Sequence, residues 1–541
     1  MIVDARQFSP DSITPSDLCI VGGGPLGLLL AKQLTRPGRN IFILEGGGME
    51  ARESAQKLLQ GEDQTGEYHD LSSSRHSQLG GTVNIWNTRI DGEMGAKHVP
   101  LDAIDFEKRD WVPHSGWPFT RETLVPYYRR AHELCGLGPF GYAAEDWSDQ
   151  ESPPFKFNDS KVKSEVYQLA GPHPLLKDLR AFVESSKEIT CVVNAPVSEF
   201  MGDEGSREVR QVRVALSSEQ SIYFQSGCFV LAAGGIENAR LLLASTHQCA
   251  KGLGNEHDVV GRYYMDHPVY FFTEFLPLEP DLFVRSGFYD LRKVRRTNLL
   301  GRLTLSQETL RTERLLNLSV VLYPKIAGYR SKGVEALREF RVRIRQRKLL
   351  ESLPYALPSL FGMGDVVRYS RCLKANPFLE GSHYWQPAAT NGARFRTFEP
   401  EFYLEQAPDP ANRILLSQKR DALGRPLAAA SWSWGRQSQE SAHRAAEILG
   451  EAFQKSNLGQ LRLLNSPRLN PSAHHHIGAT RMANDPKAGV VDENARLHGA
   501  DNLYIAGSSL FPTGGYANPT LTALALCLKL IDHLQPKIGP N

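Results

Sequence analysis

Residues 17–45, DLCIVGGGPLGLLLAKQLTRPGRNIFILE, constrain the fold more than any other stretch: an apolar run, a glycine turn, a helical apolar pattern and a second apolar run follow without a gap. That order opens a dinucleotide-binding strand–helix–strand unit. Gly22, Gly24 and Gly27 have G-x-G-x-x-G spacing, which permits a tight turn, close approach of backbone to a pyrophosphate and close packing of helix on strand. Pro25 falls in the first helical turn, where its missing N–H is not needed. The free N–H groups and positive dipole end of the helix favour a diphosphate without any basic side chain. Glu45 closes the second strand 18 residues past Gly27, near the position where a carboxylate accepts hydrogen bonds from an adenosine ribose. FAD and NAD both contain ADP, and this stretch alone does not choose between them.

A chain of 541 residues exceeds one small core and predicts at least two domains. An apolar fraction of 41% with 23% charged residues describes a globular protein. A net charge of +2 is no footprint of nucleic-acid binding. The seven cysteines are scattered without a CxxC, which favours a reduced, cytoplasmic chain over a disulfide framework. Residues 1–15 lack the basic start and apolar run of a signal peptide, and no apolar run reaches the length of a membrane span.

After Glu45, residues 46–70 read as a glycine turn and a polar surface stretch of no evident chemistry. LGGTVNIWNTR, residues 79–89, differs: Gly80 and Gly81 admit close backbone approach, while Asn84, Trp86 and Asn87 offer amides and an aromatic face. It reads as a ligand-lining loop. A helix is expected after Thr120, whose hydroxyl suits an N-cap, with Trp111, Trp117, Tyr127 and Tyr128 either packing or lining a pocket. Residues 190–235 alternate strands and polar turns, and the run Cys228–Ala232 into Gly234 and Gly235 repeats the strand, turn and helix logic. That strand is expected to return beside the first unit. His267, between Asp266 and Pro268, reads as a structural turn residue, with a catalytic role as the alternative. From 269 to 430 the segments VYFFTEF, LNLSVVLY and RILLSQ suit a second, sheet-containing domain. Residues 335–350, EALREFRVRIRQRKLL, form an arginine-rich helix candidate, read as a solvated face with docking to a partner or anionic membrane as the alternative. Residues 436–456 form another helix.

The carboxyl end is more informative. HHHIGATRM at 474–482 precedes LYIAGSSLFPTGGYANPTLT at 503–522 and an apolar helix. On an extended strand consecutive histidines point to opposite faces, so His474, His475 and His476 make a poor three-ligand metal site, and no metal is expected. Strand Leu503–Ala506 into Gly507 brings backbone toward a cofactor, and Asn518, Pro519 and Thr520 open the last helix, whose N–H groups face something electron-rich.

On VGGGPLG with Glu45, GGTVNIWN, AAGGIENARLLL, HHIGATRM and AGSSLFPTGGYANPTLTALAL, the chain resembles the glucose–methanol–choline (GMC) family of FAD-dependent oxidoreductases, nearly end to end. The resemblance implies an α/β fold: a Rossmann-like FAD-binding domain with an interleaved substrate domain built on a largely antiparallel sheet. Residues 1–155, including the flavin-lining loop 79–89, would form the first FAD-binding part. Residues 156–268 would be mainly the second, 269–465 mainly substrate domain, and 466–541 the third, with the catalytic motif. It places the catalytic histidine seven residues before Met482, at His475, and its partner at Asn518, as in the branch resembling pyranose oxidases and bacterial sugar dehydrogenases. Thr520 and Asn518 would face the flavin pyrimidine edge, Gly507 and Ser508 the ribityl chain, Gly80, Gly81 and Asn84 the isoalloxazine, and Val197 the adenine.

The residue chemistry agrees with these roles. A neutral imidazole accepts a proton near physiological pH, and an amide can donate to a developing alkoxide. Trp86 and His476 are candidate substrate contacts. Some pyranose oxidases tether FAD through a histidine just before this tryptophan; here the residue is Ile85, and non-covalent FAD is expected. The expected activity is oxidation of an alcohol of a sugar, glycoside or polyol, with oxygen, a quinone or a redox protein as acceptor. Steroid or natural-product alcohols, and a hydroxynitrile-type lyase retaining FAD, are the alternatives. A partner subunit, and export with a signal-bearing partner, are compatible with the resemblance.

Overall fold

The computed structural model describes residues 1–538 except 91, 149–151, 327, 328, 330, 346–348, 376–384, 391–394, 471 and 472. Its first layer is a parallel sheet in the order Ile2–Asp4, Ile189–Val193, Ile41–Leu44, Leu18–Val21, Phe229–Leu231, Leu503–Ile505. Leu18–Val21 and Ile41–Leu44 are buried on both faces, as continuous apolar strands under helices must be. Phe229–Leu231 lies in parallel register against Leu18–Val21, so the second strand, turn and helix does return beside the first. The helix Pro25–Leu34 covers this sheet with Leu28, Leu29, Leu30 and Leu34 inward. The last helix, Pro519–Leu534, is apolar nearly all round and correspondingly buried, packed against Pro25–Leu34 and Arg121–Leu134. The latter helix starts one residue after Thr120, but the threonine hydroxyl makes no cap hydrogen bond.

A separate antiparallel sheet of nine strands among the described residues forms the second domain, running from Gly459–Asn470 through Val269–Pro277, Phe395–Leu404, Leu318–Ile326, Thr297–Leu305 and Val162–Ala170 to Glu93–His98 and Thr88–Ile90. Helix Arg436–Lys455 packs on it. Two of its strands come from before residue 100, so a hairpin inside residues 1–155 crosses from the cofactor unit into the substrate sheet.

Three local expectations are corrected. RILLSQ is a strand, Arg413–Arg420, but it pairs with Pro426–Ser431, which pairs in turn with Gly61–Asp63, in a small sheet of its own. The 46–70 stretch is therefore not merely surface. The arginine-rich helix is Lys332–Arg345, with 346–348 outside the described residues, and two helices follow it, Leu349–Phe361 and Met363–Ala375. Pro354 and Pro358 inside the second hide it from a propensity reading. The histidine run is not an extended strand, because His474 has a left-handed backbone (φ 64°).

Candidate active site

Three helices begin on one cavity of about 640 Å³, a volume typical of cofactor and ligand sites. Pro25–Leu34 starts at Gly24, Gly235–Ala244 at Gly234 and Pro519–Leu534 at Asn518, and none of the three has a side-chain cap hydrogen bond. Their first N–H groups and positive dipole ends converge on the cavity wall, an arrangement suited to an anionic or electron-rich group. Two glycines make the first turn sterically possible. Gly22 has φ 114°, and a Cβ there would lie 2.4 Å from the Ala232 carbonyl oxygen; a Cβ on Gly27 would lie 2.0 Å from the Gly22 carbonyl oxygen. Gly27 therefore sets the helix against the strand and does not itself line the cavity.

One end of the cavity is lined by Glu45, Val197 and Arg425. Glu45 accepts from Gly23 N–H (2.9 Å) and Gly47 N–H (2.7 Å). Burial pushes its carboxyl up to about 6 despite these two donors. Arg425 donates to the Val197 carbonyl (3.2 Å). The middle is lined by Gly22, Gly24, Pro25, Gly81, Gly507 and Ser508. The other end holds Trp86, Lys97, Tyr403, His475, Asn518 and Thr520. This lining, with a buried carboxylate, three open helix starts and a histidine–asparagine pair, fits FAD. Gly22, Gly24, Glu45, Val197, Gly507, Ser508 and Thr520 would hold it.

Loop 79–89 folds into a short 3-10 turn, Gly81–Ile85, and closes on the first glycine turn: Gly80 N–H donates to the Gly23 carbonyl (2.8 Å). The Asn84 side chain is spent inside this turn, donating to the carbonyls of Gly81 (2.9 Å) and Leu79 (3.2 Å). Its amide shapes the loop, while Gly81, Ile85 and Trp86 face the cavity. Trp117 and Tyr128 anchor instead of lining: Trp117 donates to Thr513 (3.1 Å) and Tyr128 pairs with Thr522 (2.9 Å). Together with Tyr516 donating to Asp102 (3.1 Å), these bonds fix the TGGYANPT turn and hence Asn518.

The histidine–asparagine pair is in contact, His475 Nε2 to Asn518 Nδ2 at 3.1 Å. Behind it stands His267, with Nδ1 2.9 Å from His475 Nδ1. Both rings are held neutral. Burial, then His267 and Lys97, keep His475 well below the ordinary histidine value; burial pushes His267 down to about 4, against the opposing pull of the Gly514 and Gly515 carbonyls. Asp266 sets the geometry of both. Its Oδ1 accepts N–H from His267 (2.7 Å), His475 (3.0 Å) and Ala473 (3.1 Å), and its Oδ2 accepts the Tyr68 hydroxyl (2.5 Å). His474 stacks on His69 (5.1 Å, 12°). The His476 ring turns toward Tyr264, and its carbonyl accepts from Ser508 (2.6 Å). The three adjacent histidines thus go to three different places.

Asp266, His267, Tyr68, Lys97 and Tyr403 are site residues that sequence reasoning did not select. Only the Asp266–His267–Pro268 triplet stood out as a signal. Lys97 Nζ donates to Tyr403 Oη (2.5 Å), which donates to Glu401 (3.0 Å), and burial pushes Lys97 down to about 8. This polar relay forms the wall of the cavity's histidine end.

A C-terminal family model described as GMC oxidoreductase matches residues 408–527. The fructose dehydrogenase large subunit of Gluconobacter japonicus is 22% identical over 96% of this chain and 97% of its own length. The 6'''-hydroxyparomomycin C oxidase of Streptomyces lividus is 22% identical over 95% and 90%. A solved fungal aryl-alcohol oxidase superposes over 98% of this chain and all of its own, with a TM-score of 0.54 at 13% identity. Residues 408–527 thus match the GMC oxidoreductase family model, and the chain as a whole has the fold of solved FAD-dependent oxidoreductases.

Proposed function

We propose that the protein oxidises an alcohol group of a sugar, glycoside or polyol, with His475 as general base, Asn518 as alkoxide donor and non-covalently bound FAD as hydride acceptor. The observation that carries this reading is the His475–Asn518 pair at the end of a cavity fed by three open helix starts. When bound, FAD accepts the hydride and passes the electrons to oxygen, a quinone or a redox protein.

The proton arrangement follows from the contacts. The two facing Nδ1 atoms share one hydrogen. The arrangement that suits a base at His475 makes His267 Nδ1 the acceptor. His475 then carries its proton on Nδ1 and presents the Nε2 lone pair to Asn518 and the cavity. A neutral imidazole with an exposed lone pair is the state a general base requires. It takes the hydroxyl proton of the substrate while the Asn518 amide donates to the oxygen as negative charge develops.

Trp86 offers a face for sugar C–H surfaces, and the Lys97–Tyr403–Glu401 relay offers donors and acceptors for hydroxyls. The fructose dehydrogenase among the relatives supports a carbohydrate. Ile85 in place of a linking histidine supports non-covalent FAD. Anaerobic mixing of the flavin-loaded protein with sugars, glycosides, polyols, sterols and a hydroxynitrile tests the reading. Bleaching by sugars or polyols supports it; carbonyl and cyanide release from the hydroxynitrile without bleaching replaces it with the lyase. His475→Ala should lower the bleaching rate on the order of 10²–10⁴-fold with FAD still bound.

A further inference from the structure

Among the described residues of the excursion between Leu318–Ile326 and Phe395–Leu404 none lines the cavity, and its helix Leu349–Phe361 turns a leucine face outward. In Leu349–Phe361, Leu350, Leu353, Leu357 and Leu360 are 83%, 60%, 63% and 56% exposed. At about 100° per residue these four fall within roughly 80° of the helix circumference. The opposite face carries Tyr355, Ser359 and Ser352, with Ser352 buried. That face packs on Lys332–Arg345. The close approach is built in: a Cβ on Gly333 would lie 2.6 Å from the Gly362 Cα. Tyr355 is covered by the Arg343 guanidinium at 4.2 Å. Met363 and Val367, 44% and 39% exposed, continue the leucine surface onto the next helix.

Charge singles out the same segment. Residues 332–375 contain ten lysines and arginines against four acidic residues, a net +6 in a chain whose total is +2, so the rest of the molecule is net −4. A cationic segment displaying a one-sided leucine row has the composition of a helix that lies in a lipid interface, where leucines enter the acyl boundary and basic groups meet anionic headgroups. A protein-binding patch of this size would be expected to centre on aromatic or arginine anchors set in pockets. Here the exposed row is leucine throughout, and Tyr355 is turned toward Arg343. Among the described residues no helix is long and apolar enough to cross a membrane.

We propose that the outer face of Leu349–Phe361, flanked by the basic helix Lys332–Arg345, seats the protein peripherally on an anionic phospholipid surface. The excursion leaves the sheet at the Ile326–Phe395 end, whereas Tyr403, which lines the cavity, pairs with Ser319 near the other end. Eight residues of strand separate Phe395 from Tyr403, about 25 Å. Membrane seating therefore leaves the cavity in water, and the proposal does not rest on the activity inferred above.

The test is sedimentation of the full-length, flavin-loaded protein with vesicles of phosphatidylcholine containing phosphatidylglycerol and with phosphatidylcholine alone, at low and high salt. The expected result is binding to the anionic vesicles that weakens with salt, lost on the order of a hundredfold in Leu353→Gln/Leu357→Gln with the flavin absorbance spectrum unchanged. Failure to sediment with anionic vesicles, or equal binding by the double variant, overturns it. A dimer that the double variant breaks, without vesicle binding, also overturns it and assigns the face to a second copy of the chain.

Discussion

Replacing Asp266 by Asn would separate the positioning of His475 from its chemistry. The Asp266 carboxylate receives three backbone N–H groups, from His267, Ala473 and His475, and the Tyr68 hydroxyl. Asparagine keeps the shape and one acceptor oxygen but removes the charge. Hydrogen bonds to a charged acceptor contribute about 1.5–3 kcal/mol against about 0.5–1.5 kcal/mol for neutral pairs, so three weakened bonds cost about 3 kcal/mol. The Tyr68 hydroxyl would then face an NH₂ group and must rotate to become an acceptor. The left-handed turn at His474 loses its clamp, and a displacement of about 1 Å at a catalytic group lowers rates on the order of 10²-fold. The assay is single-turnover flavin reduction against substrate concentration, alongside denaturant unfolding of the holoprotein. The limiting reduction rate should fall while the apparent substrate affinity and bound FAD persist. A variant with unchanged reduction rate and unchanged unfolding midpoint would refute the positioning role.

Gly27→Ala should abolish FAD retention or leave the protein insoluble, because its Cβ would fall 2.0 Å from the Gly22 carbonyl oxygen; flavin-to-protein absorbance ratios read this directly. Removing half of the fully buried Arg109–Glu405 ion pair by Arg109→Met should cost about 3–5 kcal/mol, measured as a drop in the denaturant midpoint, and a surface-sized effect would contradict the burial. With His475 held well below the usual histidine value, the base stays neutral as pH falls through 6.5, so the acid limb of kcat/KM should lie below 6.5; a limb at or above it speaks against His475. Stability should decline as pH falls below 6.5, because the unfolded chain binds protons that buried His267 (about 4) and His98 (about 3) refuse in the fold. Glu45, raised to about 6, works in the opposite sense over the interval down to its ordinary value, and thermal melts across pH 4–7 measure the balance.

The parts of this molecule that were legible in sequence are those where local pattern and backbone need coincide. Gly22, Gly24 and Gly27 follow a buried strand and open a helix, and the same logic at Gly234 and Gly235 correctly returns a strand beside the first. His475 and Asn518 stand in motifs with fixed neighbours, and they meet at 3.1 Å. What stayed hidden depends on contacts between distant segments. Tyr68 lies in a polar-looking stretch and reaches Asp266 some 198 residues away. Lys97 is one lysine in a short strand, and only the fold sets it against Tyr403. His267 reads as a turn residue until tertiary structure sets it edge-on behind His475. The helix Leu349–Phe361 was concealed by Pro354 and Pro358, residues that ordinarily end helices.

The parallel sheet imposes a timetable on synthesis. Its edge beyond Phe229–Leu231 is completed by Leu503–Ile505, and the third helix start on the cavity arrives only at Asn518. At about 5–20 residues per second, on the order of 20–100 s pass between emergence of the Gly22 turn and emergence of the segment that closes its cavity. From its own emergence until Leu503–Ile505 arrives, on the order of 15–50 s, the strand Phe229–Leu231 presents an unpaired, wholly apolar edge of the kind that recruits foreign strands. Docking of Leu503–Ile505 closes that edge, and FAD supplied during translation should raise the yield of soluble protein more than FAD added afterwards.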